Sequence, residues 1–331
     1  MTENEALSKM IAPGTRRPGK YREGVIQIWT TRACDKSCYG CTQGSNLGGR
    51  LSFITPEQFE DALISLEGYW GVVGMFGGNP AIHPEFESLC YLMQKYVPYE
   101  QRGIWSNNPL GKGRIMAETF NPSVSNLNVH QDMKAYKEFK RDWPRSQPVG
   151  LKEDSRHSPP YVALKDVIED EGRRWELISN CDINKHWSAM IGVFRGELRA
   201  WFCEIAGAQA MLHQDDTTYP DTGRELWYDP WEESERLGRE QKGGGIKLPW
   251  WNLEMESFRE QVKKHCFDCG VPLKGFGELA NSVNGKEQVS KTHSGVFKPK
   301  RRGRRVELVT VEEQLGQRLE RMTDYLGNSR R

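Results

Sequence analysis

Residues 24–41 read Gly24-Val-Ile-Gln-Ile-Trp-Thr-Thr31-Arg-Ala-Cys34-Asp-Lys-Ser-Cys38-Tyr-Gly-Cys41. Residues 24–31 are mostly β-branched or aromatic, which predicts a strand. Three cysteines follow at once, spaced C-x3-C-x2-C, in a loop of small and polar residues running to about residue 52. Thiolates this close can ligate three irons of a four-iron cluster and leave the fourth iron without a protein ligand. Structural zinc usually takes four ligands, often in C-x2-C pairs, and suits a lone group of three poorly.

Working outward, Thr55-Pro56-Glu57-Gln58 has an N-cap Thr, Pro at the first helical position and Gln where a capping box puts it. A helix is predicted from there, and a short apolar run at 71–76 predicts a second strand, ending in Gly77-Gly78-Asn79-Pro80. The next helix starts near Pro84 and carries Phe86, Leu89, Cys90, Met93 and Val97 on one face, which makes Cys90 a core residue. Further strands are predicted at 103–106, ending in Ser106-Asn107-Asn108, and at 124–130, ending in Asn128-Val129-His130, with a helix at 133–143. Strand alternating with helix implies a parallel sheet, and such folds build their sites at the C-terminal ends of the strands.

This order of strand, cysteine triad, helix, strand and glycine motif resembles the radical S-adenosylmethionine (SAM) enzymes over about residues 24–150. The resemblance implies an α/β fold, a partial (β/α)6 barrel similar to a TIM barrel. It implies a [4Fe–4S] cluster on Cys34, Cys38 and Cys41, with SAM chelating the open iron through its amino and carboxylate groups. One-electron reduction would then cleave a C–S bond and yield a 5′-deoxyadenosyl radical that abstracts hydrogen from substrate. Gly77, Gly78, Asn79 and Pro80 match the family's glycine-rich segment, where backbone contacts the methionine amino group. Many members have Glu where this chain has Asn79. The position before the third cysteine is often aromatic and lies by the adenine; here it is Gly40, and Tyr39 is assigned that role. Ser106, Asn107 and Asn128 are candidate contacts of the SAM ribose or carboxylate. His130, Asp132 and His157 are the candidate acids and bases. A reductant such as flavodoxin or ferredoxin is an implied partner.

Cys181, Cys203, Cys266 and Cys269 supply four more thiols. Residues 188–202 read as a β-hairpin turning at Arg195-Gly196-Glu197, and Cys266-x2-Cys269 closes a knuckle after a helix expected at about 254–264. The arrangement resembles a twitch domain, the shortened SPASM region that binds an auxiliary cluster. Six residues separate Gly196 from Cys203 where the family has four. The resemblance implies a small α+β domain holding a second [4Fe–4S] cluster. A structural Zn(Cys)4 site stays open, because Cys266-x2-Cys269 alone has zinc-knuckle spacing.

The expected domains are a loose arm at 1–22, the barrel at 23–175, the cluster domain at 176–290, and a basic segment with a terminal helix at 291–331. Residues 215–250 read as irregular. With 331 residues, a formal charge of +1 and 37% hydrophobic residues, the chain is neither a bulk polycation nor disordered. No apolar run reaches the roughly 20 residues that span a bilayer, and no secretory signal is visible. A reducing cytoplasmic location is therefore expected, in which clustered cysteines bind metal or do redox chemistry rather than form disulfides. Residues 291–305 hold seven Lys or Arg and no acid, against an otherwise acidic chain. That run suits either a polyanion or a solvated tail segment, and Trp187, Trp201, Trp250 and Trp251 could stack on bases, although core burial is the commoner place for such aromatics. A nucleotide or modified nucleobase is the first substrate class, as in hypermodified phage DNA. A peptide or small alcohol is the second. A zinc-stabilised nucleic-acid-binding protein without catalysis is the alternative of another class.

Overall fold

The structure, a computed structural model, describes residues 1–18, 21–38, 40–45, 47, 52–151, 160–239, 246–276, 282–283, 286–295 and 305–308. Strand β1 (Val25–Thr31) is buried at every position. Its apolar run needs covering on both faces, as strands of parallel sheets do. β2 (Val72–Gly77) pairs with it in parallel, Val25 beside Val72 and Ile28 beside Met75. β3 (Arg102–Ser106) follows in parallel on β2, and β4 (Asn126–Leu127) on β3. Helices α2 (Pro56–Ile64), α3 (Phe86–Tyr96) and α4 (Gly113–Thr119) connect these strands, and α5 (Met133–Asp142) follows the last. The capping box is formed: the Thr55 side chain accepts from the Gln58 N–H, and the Gln58 side chain from the Thr55 N–H. Cys90 is fully buried.

The division expected near residue 175 does not interrupt the sheet. After α6 (Leu164–Val167), α7 (Glu171–Ser179) and α8 (Asp182–His186), strand β5 (Ser188–Phe194) lies parallel to β1 on its other edge, Val25 beside Ser188. β6 (Glu197–Trp201) returns antiparallel to β5, so the sheet order is β4-β3-β2-β1-β5-β6. The physical reason is β1 itself. A buried strand needs hydrogen-bond partners along both edges, and β2 supplies only one. Arg195 (φ 52°) and Gly196 (φ 88°) form the two-residue turn, with the left-handed pair that matches strand twist.

One hydrophobic core runs through both halves and includes Ile28, Met75, Ile104, Ile191, Trp201 and Phe258. Helix α9 (Glu204–Leu212) is buried along almost its whole length. Within 215–250, helix α10 (Pro230–Arg236) is ordered by Asp229 at its N-cap. Two small sheets complete the described residues: β7 (Trp227–Tyr228) with β8 (Leu248–Pro249), and β9 (Ser282–Val283), β10 (Lys286–Val289) and β11 (Arg305–Leu308). The helix expected at 254–264 is instead a 3-10 turn at Met255–Phe258, α11 at Arg259–Gln261, and a π-helical turn at Val262–Cys266. Residues 296–304 of the basic segment and the terminal helix expected at 311–326 lie outside the described residues.

The N-terminus is not a loose arm. Helix α1 (Glu3–Lys9) opens with a Thr2–Glu5 capping box and buries Ala6 and Leu7. Ile11 and Asn184 exchange two hydrogen bonds of 3.0 Å, and the buried Arg17 guanidinium donates to the carbonyls of Asn184 and Trp187 at 2.7 and 2.8 Å. A polar composition hid a short apolar face, Ala6, Leu7 and Met10, at helical spacing.

Candidate metal centres

Cys34, Cys38 and Cys41 lie in the loop at the C-terminal end of β1, an interior strand of the sheet between β2 and β5. All three are partly exposed, and none is in a disulfide. Thr31 ties both ends of this loop: its hydroxyl donates to the Ser52 carbonyl and accepts from the Ala33 N–H, each at 2.9 Å. Tyr161 Oη donates to the Cys41 carbonyl at 2.8 Å.

Gly77 and Gly78 are required here by close backbone approach. Gly77 has φ 145°, and a Cβ on it would lie 2.3 Å from the Thr31 carbonyl; one on Gly78 would lie 2.3 Å from the Ala33 carbonyl. Only glycine meets both demands. The Gly78 N–H donates to Thr31 and the Asn79 N–H to Ala33, at 2.7 and 2.8 Å. These two N–H groups therefore brace the cysteine loop itself. Pro80 starts the short 3-10 turn that follows, and is buried.

Asn79 is fully buried and joins three strand ends. Its Oδ1 accepts from Ser106 Oγ at 2.9 Å, and its Nδ2 donates to Asp35 Oδ1 at 3.1 Å and to the Asn108 carbonyl at 2.9 Å. Asn108 Nδ2 donates to the other Asp35 oxygen at 3.0 Å. Asn107 Nδ2 lies 3.5 Å from Cys34 Sγ, which also accepts from the Lys36 N–H at 3.4 Å. Burial pushes the Cys34 thiol up to about 11, with Cys41 and Asp35 adding to the rise and these two hydrogen bonds opposing it. A bound cation reverses that logic and deprotonates a coordinating thiol. Among the described residues, Asn107 Oδ1, Gln43 Oε1 and Ser45 Oγ are buried with no hydrogen-bond partner. Such groups are costly unless something satisfies them.

The sequence singled out neither Asp35, Lys36 nor Asn108. The signal was present, since Asp35 and Lys36 lie between the first two cysteines. Asp132 is the N-cap of α5, accepts from the Lys134 and Ala135 N–H groups, and pairs with the Lys36 ammonium. Lys36 first, then the Ala135 N–H, holds its carboxyl below the usual range. His130 (φ 46°) and Gln131 (φ 66°) are both left-handed, a strained pair for residues with side chains. His130 is solvent-exposed, yet crowding around its ring lowers its pKa, with the Lys36 cation helping and Asp35 opposing. Asn128 Oδ1 accepts from the His130 N–H at 3.2 Å and orders this turn. Tyr39 and His157 lie outside the described residues.

The other four cysteines come from separate parts of the second half and line one cavity of about 20 Å³. Cys181 precedes α8, and Cys203 occupies the N-cap position of α9. Cys266 ends the π-helical turn, a kind of local irregularity found often at functional sites. The Cys269 N–H donates to the Cys266 carbonyl at 3.3 Å, and Cys269 Sγ accepts from the Val271 N–H at 3.4 Å, which forms the knuckle. Burial pushes Cys203 up to about 12, with the charge of Cys181 adding to it, and raises Cys266 and Cys269 well above the usual thiol value. His265 lines the same cavity, and its burial lowers its pKa to about 3.

Among the described residues, no group of three or more His, Cys, Asp or Glu could hold a single metal ion as placed. A single ion needs its donors to converge about 2.3 Å from one point, whereas a four-iron cluster takes each thiolate on its own iron. Trp201, Trp250 and Trp251 are buried in the core, which leaves them unavailable to stack on a base. Among the described residues, no helix is long and apolar enough to cross a membrane.

No protein-family model matches the chain, and no curated protein matches it. A solved structure of BtrN in complex with AdoMet and 2-DOIA is similar at 13% identity and a TM-score of 0.42, over 78% of this chain and 97% of that one.

Proposed function

We propose that the chain is a radical SAM enzyme whose parallel sheet is a partial barrel. The observation that carries this reading is the C-x3-C-x2-C loop at the end of β1, braced by Gly77 and Gly78, with Asn107 Oδ1, Gln43 Oε1 and Ser45 Oγ buried and without a partner among the described residues. Cys34, Cys38 and Cys41 would hold three irons of a [4Fe–4S] cluster, leaving one for SAM. Bound there, that pair supplies reductive cleavage of a C–S bond and hydrogen abstraction from a substrate. The protein's part is positional. Thr31 and Tyr161 fix the loop, Asn107 donates toward Cys34, and Asn79 with Asn108 fixes the Asp35 carboxylate. Among the described residues, Asn107 Oδ1, Ser45 Oγ and Gln43 Oε1 have no partner and could accept from a ligand's donors. Cys181, Cys203, Cys266 and Cys269 would hold a second iron–sulfur cluster; that all four line one cavity supports this reading.

The substrate class we favour is a nucleotide or modified nucleobase. The basic run from Lys298 to Arg305, on an otherwise acidic chain, supports it. The test is anaerobic SAM cleavage by the reconstituted protein, followed as 5′-deoxyadenosine release with nucleotides, peptides and small alcohols in turn. Replacing Cys34, Cys38 and Cys41 together by Ala should abolish release and leave the second cluster in place. Undiminished release from that variant contradicts the assignment. Stimulation by peptides or alcohols alone contradicts the substrate class.

A further inference from the structure

His265 immediately precedes Cys266 in the π-helical turn Val262–Cys266. It is 1% exposed and lines the cavity that Cys181, Cys203, Cys266 and Cys269 share. Nε2 lies 2.7 Å from Thr222 Oγ1. Nδ1 is buried and has no hydrogen-bond partner among the described residues. Buried polar atoms in native proteins are nearly always satisfied, so an orphan in a cavity lined by thiols points to what the cavity binds.

The two ring nitrogens are set by what each one meets. A threonine hydroxyl can donate to Nε2, and the ring proton then sits on Nδ1. The reverse tautomer would leave Nδ1 a buried lone pair, and a thiolate-ligated iron–sulfur group offers it only acceptors; the tautomer with the proton on Nδ1 is the one such a group can satisfy.

We infer that His265 donates its Nδ1–H to a sulfur of the iron–sulfur group held by the four surrounding cysteines, with Thr222 fixing the tautomer. This rests on the reading of that site as an iron–sulfur centre. His265 and Thr222 are positioning residues. Hydrogen bonds to cluster sulfurs are one of the levers that set a cluster's potential, because they favour the more negative, reduced form.

The experiment uses the full-length chain with Cys34, Cys38 and Cys41 replaced by Ala, so that only the second site contributes. His265→Leu, His265→Asn and Thr222→Val are made in that background. Iron and sulfide content and the midpoint potential, from an EPR-monitored redox titration, are then compared. The expected result is unchanged iron in all three. His265→Leu should shift the reduction equilibrium about tenfold toward the oxidised form, about 59 mV for a one-electron couple. His265→Asn, which keeps an N–H donor, should recover part of the shift. Thr222→Val should move the potential the same way by less, and it keeps the test open if the leucine variant does not fold. Equal potentials in all variants overturn the inference. So does loss of iron in both His265 variants, which would make the imidazole a ligand or a packing element. A parent without iron, or with zinc in its place, refutes the reading of the site, and the inference falls with it.

Discussion

Cys34, Cys38 and Cys41 occupy eight consecutive residues of one partly exposed loop, whereas Cys181, Cys203, Cys266 and Cys269 meet only because the second half folds around them. The first group is held by hydrogen bonds from its surroundings: Thr31 at the loop ends, Tyr161 on the Cys41 carbonyl, Asn79 and Asn108 on Asp35. The second is held by the core, with three of its four cysteines buried. A loop site can lose its function while the fold survives. A core site that gathers thiols from distant segments is part of the folding free energy, because metal binding and folding are coupled.

The sharpest way to break this contrast is to remove one ligand from each site. Cys203→Ala should strip about four irons from the reconstituted chain and lower its melting temperature. Cys38→Ala should remove SAM cleavage with little change in the melting temperature of the apo protein. Equal thermal effects would mean that the two sites share one structural role. Next comes the brace under the triad. Gly77→Val places a side chain against the Thr31 carbonyl at a φ of 145°, and should cost about 3 kcal/mol in a denaturant titration. Asn79→Ala should be milder for the fold, about 2 kcal/mol from the partners it strands. It should also slow SAM cleavage by about 10–100-fold, as changes around first ligands do. Unchanged cleavage would remove the Asp35 network from the site.

The smallest effect concerns His83, at the end of the segment that begins with Gly77. Its Nε2 is 2.8 Å from the Ile54 carbonyl, and its Nδ1 accepts from the Glu85 N–H at 3.1 Å. Burial, the largest cause, lowers its pKa below the ordinary 6.5. The unfolded chain therefore takes up the proton first as pH falls. Stability from this group is present above about pH 6.5 and declines below it, toward the folded-state pKa. His83→Gln should flatten the acid side of the stability–pH curve, and an unchanged slope would assign that slope to other groups.

The triad region was legible because its information is local. Strand, loop spacing, capping box and glycine pair are each written in a few adjacent residues, and the sheet order β1 to β4 followed. Tertiary demands hid the rest. Nothing near 188 says that β5 must fill the free edge of β1, because that need belongs to a strand more than 150 residues earlier. The docked N-terminus was missed because Arg17 and Asn184, both polar in sequence, meet as hydrogen-bonding partners. The glycines were expected to offer backbone to a ligand, and two of their neighbouring N–H groups are turned to Thr31 and Ala33 instead. His265 gave no sequence signal beyond standing next to a cysteine.

Metal content decides the central claim most directly. After anaerobic reconstitution, iron, sulfide and zinc are measured per chain, and EPR spectra of the reduced protein are recorded with and without SAM. Two four-iron clusters require about eight irons and a matching amount of sulfide, with one EPR signal perturbed by SAM. Bound zinc with no iron, or a full iron complement whose spectrum ignores SAM, would contradict the account.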